Sequence, residues 1–216
     1  MTTRHTGQPA RRGRGRPRGP GTEATAATRE RIVSAAAELF AERGFHATPM
    51  TAVAEASGLS QSGLLHHFPS KEGLLAEVLR ARDVRDLATL ATGRDRAPRG
   101  WEVWDDMTRL VRLNSDREVL VRLFTSLAGE AVEPDHPGHG WLGEHHRSAV
   151  EALAVALREA VADGTADPAV PADSLARQAV ALMDGLQVQW LMRPDEVDMA
   201  GDFAAFVEGV RTRWTP

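Results

Sequence analysis

The sequence predicts an all-α protein of about nine helices. Apolar residues recur at intervals of three and four along most of the chain, which is the period of an amphipathic helix. Beyond Arg80, no stretch shows the alternation of apolar and polar residues that marks a half-buried strand. Prolines and glycines separate the later helical segments, at Pro134, Pro137, Gly164, Pro168, Pro171 and Pro194.

The amino-acid composition limits the classes of protein to which the chain can belong. The chain has 216 residues, of which 42% are hydrophobic and 26% charged, which is enough apolar material for a real core. It has no cysteine, so disulfides and thiolate metal sites are excluded. No stretch approaches the ~20 apolar residues of a membrane span. The basic N-terminus lacks the apolar run of a secretory signal, and we expect a cytoplasmic protein.

The net charge of -4 conceals an asymmetry between a basic N-terminal part, the front of the chain, and an acidic remainder. Residues 1–82 carry 12 basic and 7 acidic side chains, whereas residues 83–216 carry 14 basic and 23 acidic ones. This asymmetry predicts that the front of the chain meets a polyanion.

The first 22 residues are rich in arginine, glycine and proline, so we predict a disordered basic arm. Within it, the run Arg14-Gly15-Arg16-Pro17 resembles an AT-hook core. Arg14 and Arg16 are candidates to enter an A·T-rich minor groove. A solvated tail with weak phosphate affinity is the alternative.

A helical pattern begins at Thr28, with Ile32, Ala36, Leu39 and Phe40 on one face. Gly44 is predicted to end this helix. Thr48 then looks like the N-cap of a two-turn helix whose first residue is Pro49 and whose inward residues are Met50, Val53 and Ala54.

Gly58 breaks the chain, and Ser60 is placed to cap a short helix over Gln61–His67. Leu64 and Phe68 face inward from this helix, Pro69 ends it, and Ser70 caps a long helix that begins at Lys71. Two short helices joined through a glycine and braced by a longer one predict a helix-turn-helix. The face of the second short helix that is not needed for the core is free to enter a DNA groove.

The run "ATPMTAVAEASGLSQSGLLHHFPSKEGLL" resembles the DNA-binding domain of the TetR family of transcriptional regulators over about 60 residues. The family usually has threonine at the position of Gly63 and tyrosines at those of Leu65 and His67, so Leu65 would make an apolar contact. The DNA-contact candidates are Thr48, Thr51, Ser60, Gln61, Ser62, Gly63, Leu65, His66, His67 and Lys71, with Arg14 and Arg16 of the arm.

The resemblance implies a DNA-binding domain over 23–88 and a larger helical bundle over 89–216 that binds an effector and dimerises. The pocket of this bundle would take a small apolar or aromatic molecule. The candidates are large or polar residues on inward faces: Trp101, Trp104, Met107, Asn114, Phe124, Leu127, Trp141, His145, His146, Met183, Gln187 and Trp190.

The last two helices carry dense apolar stripes, and the resemblance implies that they pack against a second copy as a four-helix bundle. The interface candidates are Leu175, Ala179, Leu182, Leu186, Trp190, Phe203, Phe206 and Val210. Such a homodimer would place two reading helices ~34 Å apart on a palindrome. The alternative is that these stripes only close the core of one chain.

We predict no cofactor and no metal site. The histidines around Glu144 (His136, His139, His145 and His146) match no zinc signature. The resulting hypothesis is a ligand-responsive repressor that releases its operator when an effector binds. The alternatives are a non-specific architectural DNA-binding protein and, less consistent with the sequence, a helical-bundle enzyme, since no phosphate loop, nucleophile elbow or acid pair appears.

Overall fold

The computed structural model describes residues 20–93 and 95–216. Arg14, Arg16 and most of the predicted arm lie outside these residues. Within them the chain forms nine helices: α1 (Pro20–Arg43), α2 (Met50–Ala56), α3 (Gln61–His67), α4 (Lys71–Ala91), α5 (Trp101–Asn114), α6 (Glu118–Glu130), α7 (His139–Ala162), α8 (Ala172–Met192) and α9 (Met199–Trp214). The predicted all-α architecture, with a helix-turn-helix ahead of a larger bundle, is confirmed.

Several helix boundaries follow from local chemistry that the sequence displays. The Ser60 and Ser70 hydroxyls accept the N–H groups of Gly63 and Gly73 at 3.1 and 3.0 Å, as N-caps do. Gly44, after α1, adopts a φ of 78°, which only glycine adopts at little cost.

The first helix is longer than predicted. It begins at Pro20 rather than at Thr28. The added segment contains alanines and no proline beyond its first residue, which is compatible with a helix.

Two hydrophobic cores lie along the molecule. The first joins the helix-turn-helix to α6, because Leu123, Phe124 and Leu127 pack with residues of α1, α3 and α4. The second joins α5, α7, α8 and α9 around Trp104, Leu157 and Phe203. Helix α6 therefore supports the DNA-binding head, although the sequence placed it in the body, and the boundary drawn at residues 88 and 89 falls inside α4.

Candidate DNA-reading surface and effector region

Helix α3 presents a polar outer face. Leu64 and Phe68 are buried in the first core, so the helix is anchored from one side. Gln61, Ser62, Leu65 and His66 are exposed, while Gly63 and His67 are half-buried. The structure thus brings the predicted contact residues of α3 onto one accessible surface, with Gln61 and Ser62 at its N-terminal end.

Arg29 of α1 holds the C-terminal end of α3. Its guanidinium donates to the His67 carbonyl at 2.8 Å and lies 4.2 Å from the centroid of the Phe68 ring. It thereby satisfies a backbone carbonyl at a helix end, where no intrahelical donor remains. Sequence reasoning missed this residue because an arginine on the outer side of α1 carries no signal of its partner.

Thr48 is not on the DNA surface. Its side chain is fully buried, and its hydroxyl donates to the carbonyls of Gly44 (2.8 Å) and Leu39 (3.2 Å) at the end of α1. It does not cap α2, whose N-cap is Pro49. Both expectations for Thr48 were wrong, because the α1–α2 turn folds the hydroxyl back onto α1. Thr51, by contrast, is exposed on α2.

Lys71 opens α4 beside the α1–α2 turn. Its ammonium group donates to the His46 carbonyl at 3.1 Å and lies 4.4 Å from the centroid of the Phe45 ring. Burial against this turn lowers the pKa of Lys71. The charge is therefore positioned at the start of α4, where backbone N–H groups are also free to bind an anion.

The predicted effector-pocket residues lie in separate parts of the structure, and two of these parts hold most of them. Trp101 and Trp104 pack in the second core, and their indole N–H groups donate to the carbonyls of Thr165 and Leu153, both at 3.1 Å. The two tryptophans therefore hold α5 against α7 and the turn that follows it, and their assignment to an effector pocket stays a prediction. Met107 and Trp190 pack around the same core, and Met183 is part of it; Leu127 lies in the first core.

The second of these parts is a cluster that we call the α4–α8 cluster: Arg82, Asp83, Asp86, Phe124, Trp141, His145, His146 and Asp184. The Trp141 ring stacks on that of His145 at 4.8 Å between centroids, and its N–H donates to Asp83 at 3.1 Å. The Phe124 ring lies 5.4 Å from that of His145. His146 Nε2 lies 3.0 Å from an Asp184 carboxylate oxygen.

Arg82 is the centre of this cluster and was missed by the sequence analysis. It is 7% exposed, donates to Asp83 and lies 4.7 Å from the Phe124 ring centroid. Asp86, also buried, pairs with Arg117 at 3.0 Å. A heptad-like spacing on α4 could have suggested Arg82 as an inward residue, but its charge argued for solvent.

The two histidines of the cluster have opposite electrostatic environments. Burial, together with the positive charge of Arg82, lowers the pKa of His145 to about 4. The Asp184 carboxylate instead raises the pKa of His146. Asn114 on α5 and Gln187 on α8 are also buried, each with a side-chain oxygen that has no hydrogen-bond partner.

Residues 32–78 match the sequence pattern described as "Bacterial regulatory proteins, tetR family", which spans α2, α3 and the adjoining parts of α1 and α4. The chain belongs to the TetR family of transcriptional regulators. It is therefore a DNA-binding regulator rather than an enzyme.

The likeness of this TetR-family regulator to known proteins extends beyond the head. The HTH-type transcriptional regulator UidR of Escherichia coli (strain K12) is 29% identical over 186 residues, which are 85% of this chain and 89% of UidR. Among solved structures, SmeT in complex with triclosan superposes with a TM-score of 0.74 at 20% identity, over 88% of this chain and 92% of SmeT. A regulator from Saccharomonospora viridis in complex with choline superposes with a TM-score of 0.72 at 20% identity, over 88% of this chain and 99% of that regulator.

The apolar stripes of α8 and α9 in this TetR-family regulator are mostly internal. Five of the predicted interface residues are buried within the single chain, in the second core: Leu175, Ala179, Leu186, Phe203 and Val210. These residues help to close the core of the protomer, and their assignment to a subunit contact stays a prediction. Leu182, Trp190 and Phe206 are half-buried. No helix in the described part of the regulator is both long and apolar enough to cross a bilayer.

Proposed function

We propose that the protein is a ligand-responsive repressor, in which α4 carries the effector signal to the DNA-reading helix. The observation behind this is the continuity of α4. The helix starts at the Ser70 cap next to α3 and runs without a break to Arg82 and Asp86 in the α4–α8 cluster. With ~1.5 Å of rise per residue, Lys71 and Arg82 lie ~16 Å apart on one rigid element.

The effector is a small apolar or aromatic molecule that binds at the α4–α8 cluster. Phe124, Trp141 and His145 supply aromatic faces, and Asp184, with Gln187 one turn further along α8, supplies polar groups. Pockets for such molecules combine apolar walls with a few placed polar groups. The two structurally similar regulators with triclosan and choline are consistent with a ligand-binding role for this fold.

Release of DNA follows from a difference in affinity between two conformations. An effector that binds better when α4 is shifted stabilises that conformation, and the head on the other end of α4 then no longer matches the operator. Purified full-length protein should select one class of DNA fragment from a genomic pool and release it with such an effector. Equal affinity for selected and random duplexes would instead support the architectural alternative.

We expect Gln187→Leu to weaken the effector response while leaving operator affinity unchanged. The side chain is buried on α8, outside the helix-turn-helix, and its oxygen has no protein partner to lose. The measurement is the rise in thermal midpoint caused by an effector found in a compound screen, together with release of a labelled operator. Glu151→Gln, an exposed change on α7 outside both the cluster and the α8–α9 face, is the control. Equal responses in the two variants would place the pocket elsewhere.

The reading surface is expected to contain two classes of contact. Gln61→Ala should cost about 1–3 kcal/mol on the operator and relax the choice at one base pair, because a side chain at the start of α3 meets base edges. Lys71→Ala should weaken binding to all duplexes about equally and reduce the salt slope by about one per half-site. Titrations of each variant against operator and scrambled DNA at several salt concentrations measure both effects. If Gln61→Ala weakened all duplexes equally and Lys71→Ala changed base preference, α3 would lie in the groove in the opposite orientation.

The repressor acts as a homodimer on a palindromic operator. The outer sides of α8 and α9 carry Gly185 and Gly209, and a Cβ atom on either would meet no atom within 4 Å. Glycine inside a helix costs about 1 kcal/mol relative to alanine, so these positions are consistent with close approach of a second copy. Beside Gly209, the half-buried Phe206 lines an open groove of about 450 Å³ between the two helices.

Gly209→Arg is expected to convert the dimer into monomers and to lower operator affinity. The side chain would project into open space on one protomer, so the protomer itself should stay folded. Sedimentation velocity reports the oligomeric state. Gly143→Arg on α7, whose Cβ would also meet nothing within 4 Å, is the control and should remain dimeric. A dimeric Gly209→Arg would put the interface on another surface.

The remaining features complete the proposal. The proposal keeps the division into an arm (1–22), a DNA-binding domain (23–88) and a regulatory domain (89–216), with α6 of the regulatory domain packed in the first core against the DNA-binding head. Arginines of the arm would add phosphate contacts beside the operator. A regulator that binds chromosomal DNA acts in the cytoplasm.

A further inference from the structure

Three potential metal ligands from distant parts of the sequence meet between the head and the body. His46 lies in the α1–α2 turn, Glu130 ends α6, and His136 lies in the loop before α7. One donor atom from each lies within 4.8 Å of the other two. The imidazole rings of His46 and His136 are 5.1 Å apart and nearly perpendicular, so they approach without stacking.

The most buried member of the trio is His136. Its side chain has no exposed surface, and its Nε2 atom makes no hydrogen bond that satisfies ordinary geometry. That atom points towards the Glu130 carboxylate at 3.5 Å. Two ligands that are each ~2 Å from a tetrahedral zinc ion are ~3.3 Å apart, so this pair already has the spacing of a metal site.

The α1–α2 turn is shaped around Glu130. The carboxylate accepts the Phe45 N–H at 3.0 Å, and a Cβ atom on Gly44 would lie 2.1 Å from its other oxygen. Glycine at this position therefore makes room for the carboxylate in addition to ending α1. His46, the next residue but one, is exposed, so a change of its side-chain rotamer can close the remaining distance.

Two contacts disfavour a cation at this position, and the free energy of each is small compared with that of binding a metal ion. The Gly138 N–H donates to His136 Nδ1 at 3.0 Å, which leaves the proton of the neutral ring on Nε2. Metal binding through Nε2 requires the neutral ring to carry its proton on Nδ1 instead, so the Gly138 N–H loses this acceptor. Lys71 adds a nearby positive charge, but its ammonium is directed at the His46 carbonyl. One hydrogen bond is weak against the free energy of binding a transition metal.

We propose that His46, Glu130 and His136 bind one divalent transition-metal ion of the zinc type, which joins the helix-turn-helix to α6 and the loop before α7. Two imidazoles and a carboxylate are a donor set that such ions accept, with the remaining position open to water on the exposed side. Mg²⁺ and Ca²⁺ prefer all-oxygen sites and are excluded by this donor set.

The test is zinc binding by the full-length protein after treatment with a chelator. We expect one Zn²⁺ per chain in competition with a chromophoric chelator, and a rise in thermal midpoint with Zn²⁺ but not with Mg²⁺. His46→Ala and His136→Ala should each weaken zinc binding at least tenfold and remove the rise. Because His46 is exposed, its variant should fold even if the His136 variant does not.

A matched control removes two histidines elsewhere. The double variant His66→Ala/His67→Ala also loses an adjacent pair of imidazoles but leaves the trio intact, so it should bind zinc as the wild type does. The proposal is overturned if the wild type binds no zinc, if His46→Ala binds it with unchanged affinity, or if the control loses it. An equal thermal response to Mg²⁺ would also overturn it, since that would indicate binding to surface carboxylates.

Discussion

Replacing Arg82 by methionine is expected to lower the free energy of unfolding by about 1.5–3 kcal/mol, because the half-buried Asp83 loses its cation and the buried Asp86 keeps only Arg117. Arg82 is 7% exposed, donates to Asp83 at 3.3 Å and lies 3.9 Å from Asp86. Methionine keeps much of the packing of the side chain against the Phe124 ring and removes the charge. Chemical denaturation of the variant and the wild type at neutral pH gives the difference.

The control lies three residues along the same helix. Arg85 is exposed, so Arg85→Met should change the free energy of unfolding by about 0.5 kcal/mol or less. Adding Asp83→Asn to Arg82→Met should recover part of the loss, since it removes the carboxylate charge that Arg82 balanced while an amide oxygen can still accept from Trp141. Equal losses for Arg82→Met and Arg85→Met would show that burial of the charge has no energetic role.

Acidification is expected to destabilise the protein through His145. In the folded state the Nε2 atom of His145 lies 3.3 Å from a guanidinium nitrogen of Arg82, which can only donate, so this atom of the ring must accept. A proton on Nε2 would face that guanidinium. Burial and Arg82 together lower the pKa of His145 from 6.5 to about 4, which corresponds to about 3 kcal/mol.

The sign of the change in the free energy of unfolding with pH follows from which state binds more protons. Below pH 6.5 the unfolded chain takes up a proton at His145 that the folded chain refuses, so the free energy of unfolding falls as pH decreases towards 4. His146 acts in the opposite sense: its pKa is raised, and its stabilising contribution is lost as pH rises through that value. Comparison of His145→Gln with the wild type isolates the contribution of His145.

Denaturation between pH 7.5 and 4 measures the effect of His145. In His145→Gln the fall in the free energy of unfolding across this range should be smaller by about 3 kcal/mol, because glutamine can accept from Arg82 and does not titrate. His66→Gln, at an exposed position of α3, should follow the wild type. Parallel curves for His145→Gln and the wild type would contradict the prediction.

The sequence by itself determined the local structure of the head. The bounds of α3, the caps at Ser60 and Ser70 and the inward positions of Leu64 and Phe68 all follow from interactions within a few residues. The same holds for the end of α1 at Gly44. Because these signals are local and together form a known motif, the helix-turn-helix and the regulator family could be predicted before any contact was known.

The tertiary structure decided which of several plausible partners each side chain found. Thr48 could cap α2 or turn back onto α1, and only the path of the turn selects α1. The stripes of α8 and α9 could face a second copy or the chain's own core, since an apolar face is the same in either case. The pairing of Arg82 with residues of α6 and α7, and of His46 with Glu130 and His136, joins segments more than 40 residues apart, and helical periodicity holds no information on which such segments meet.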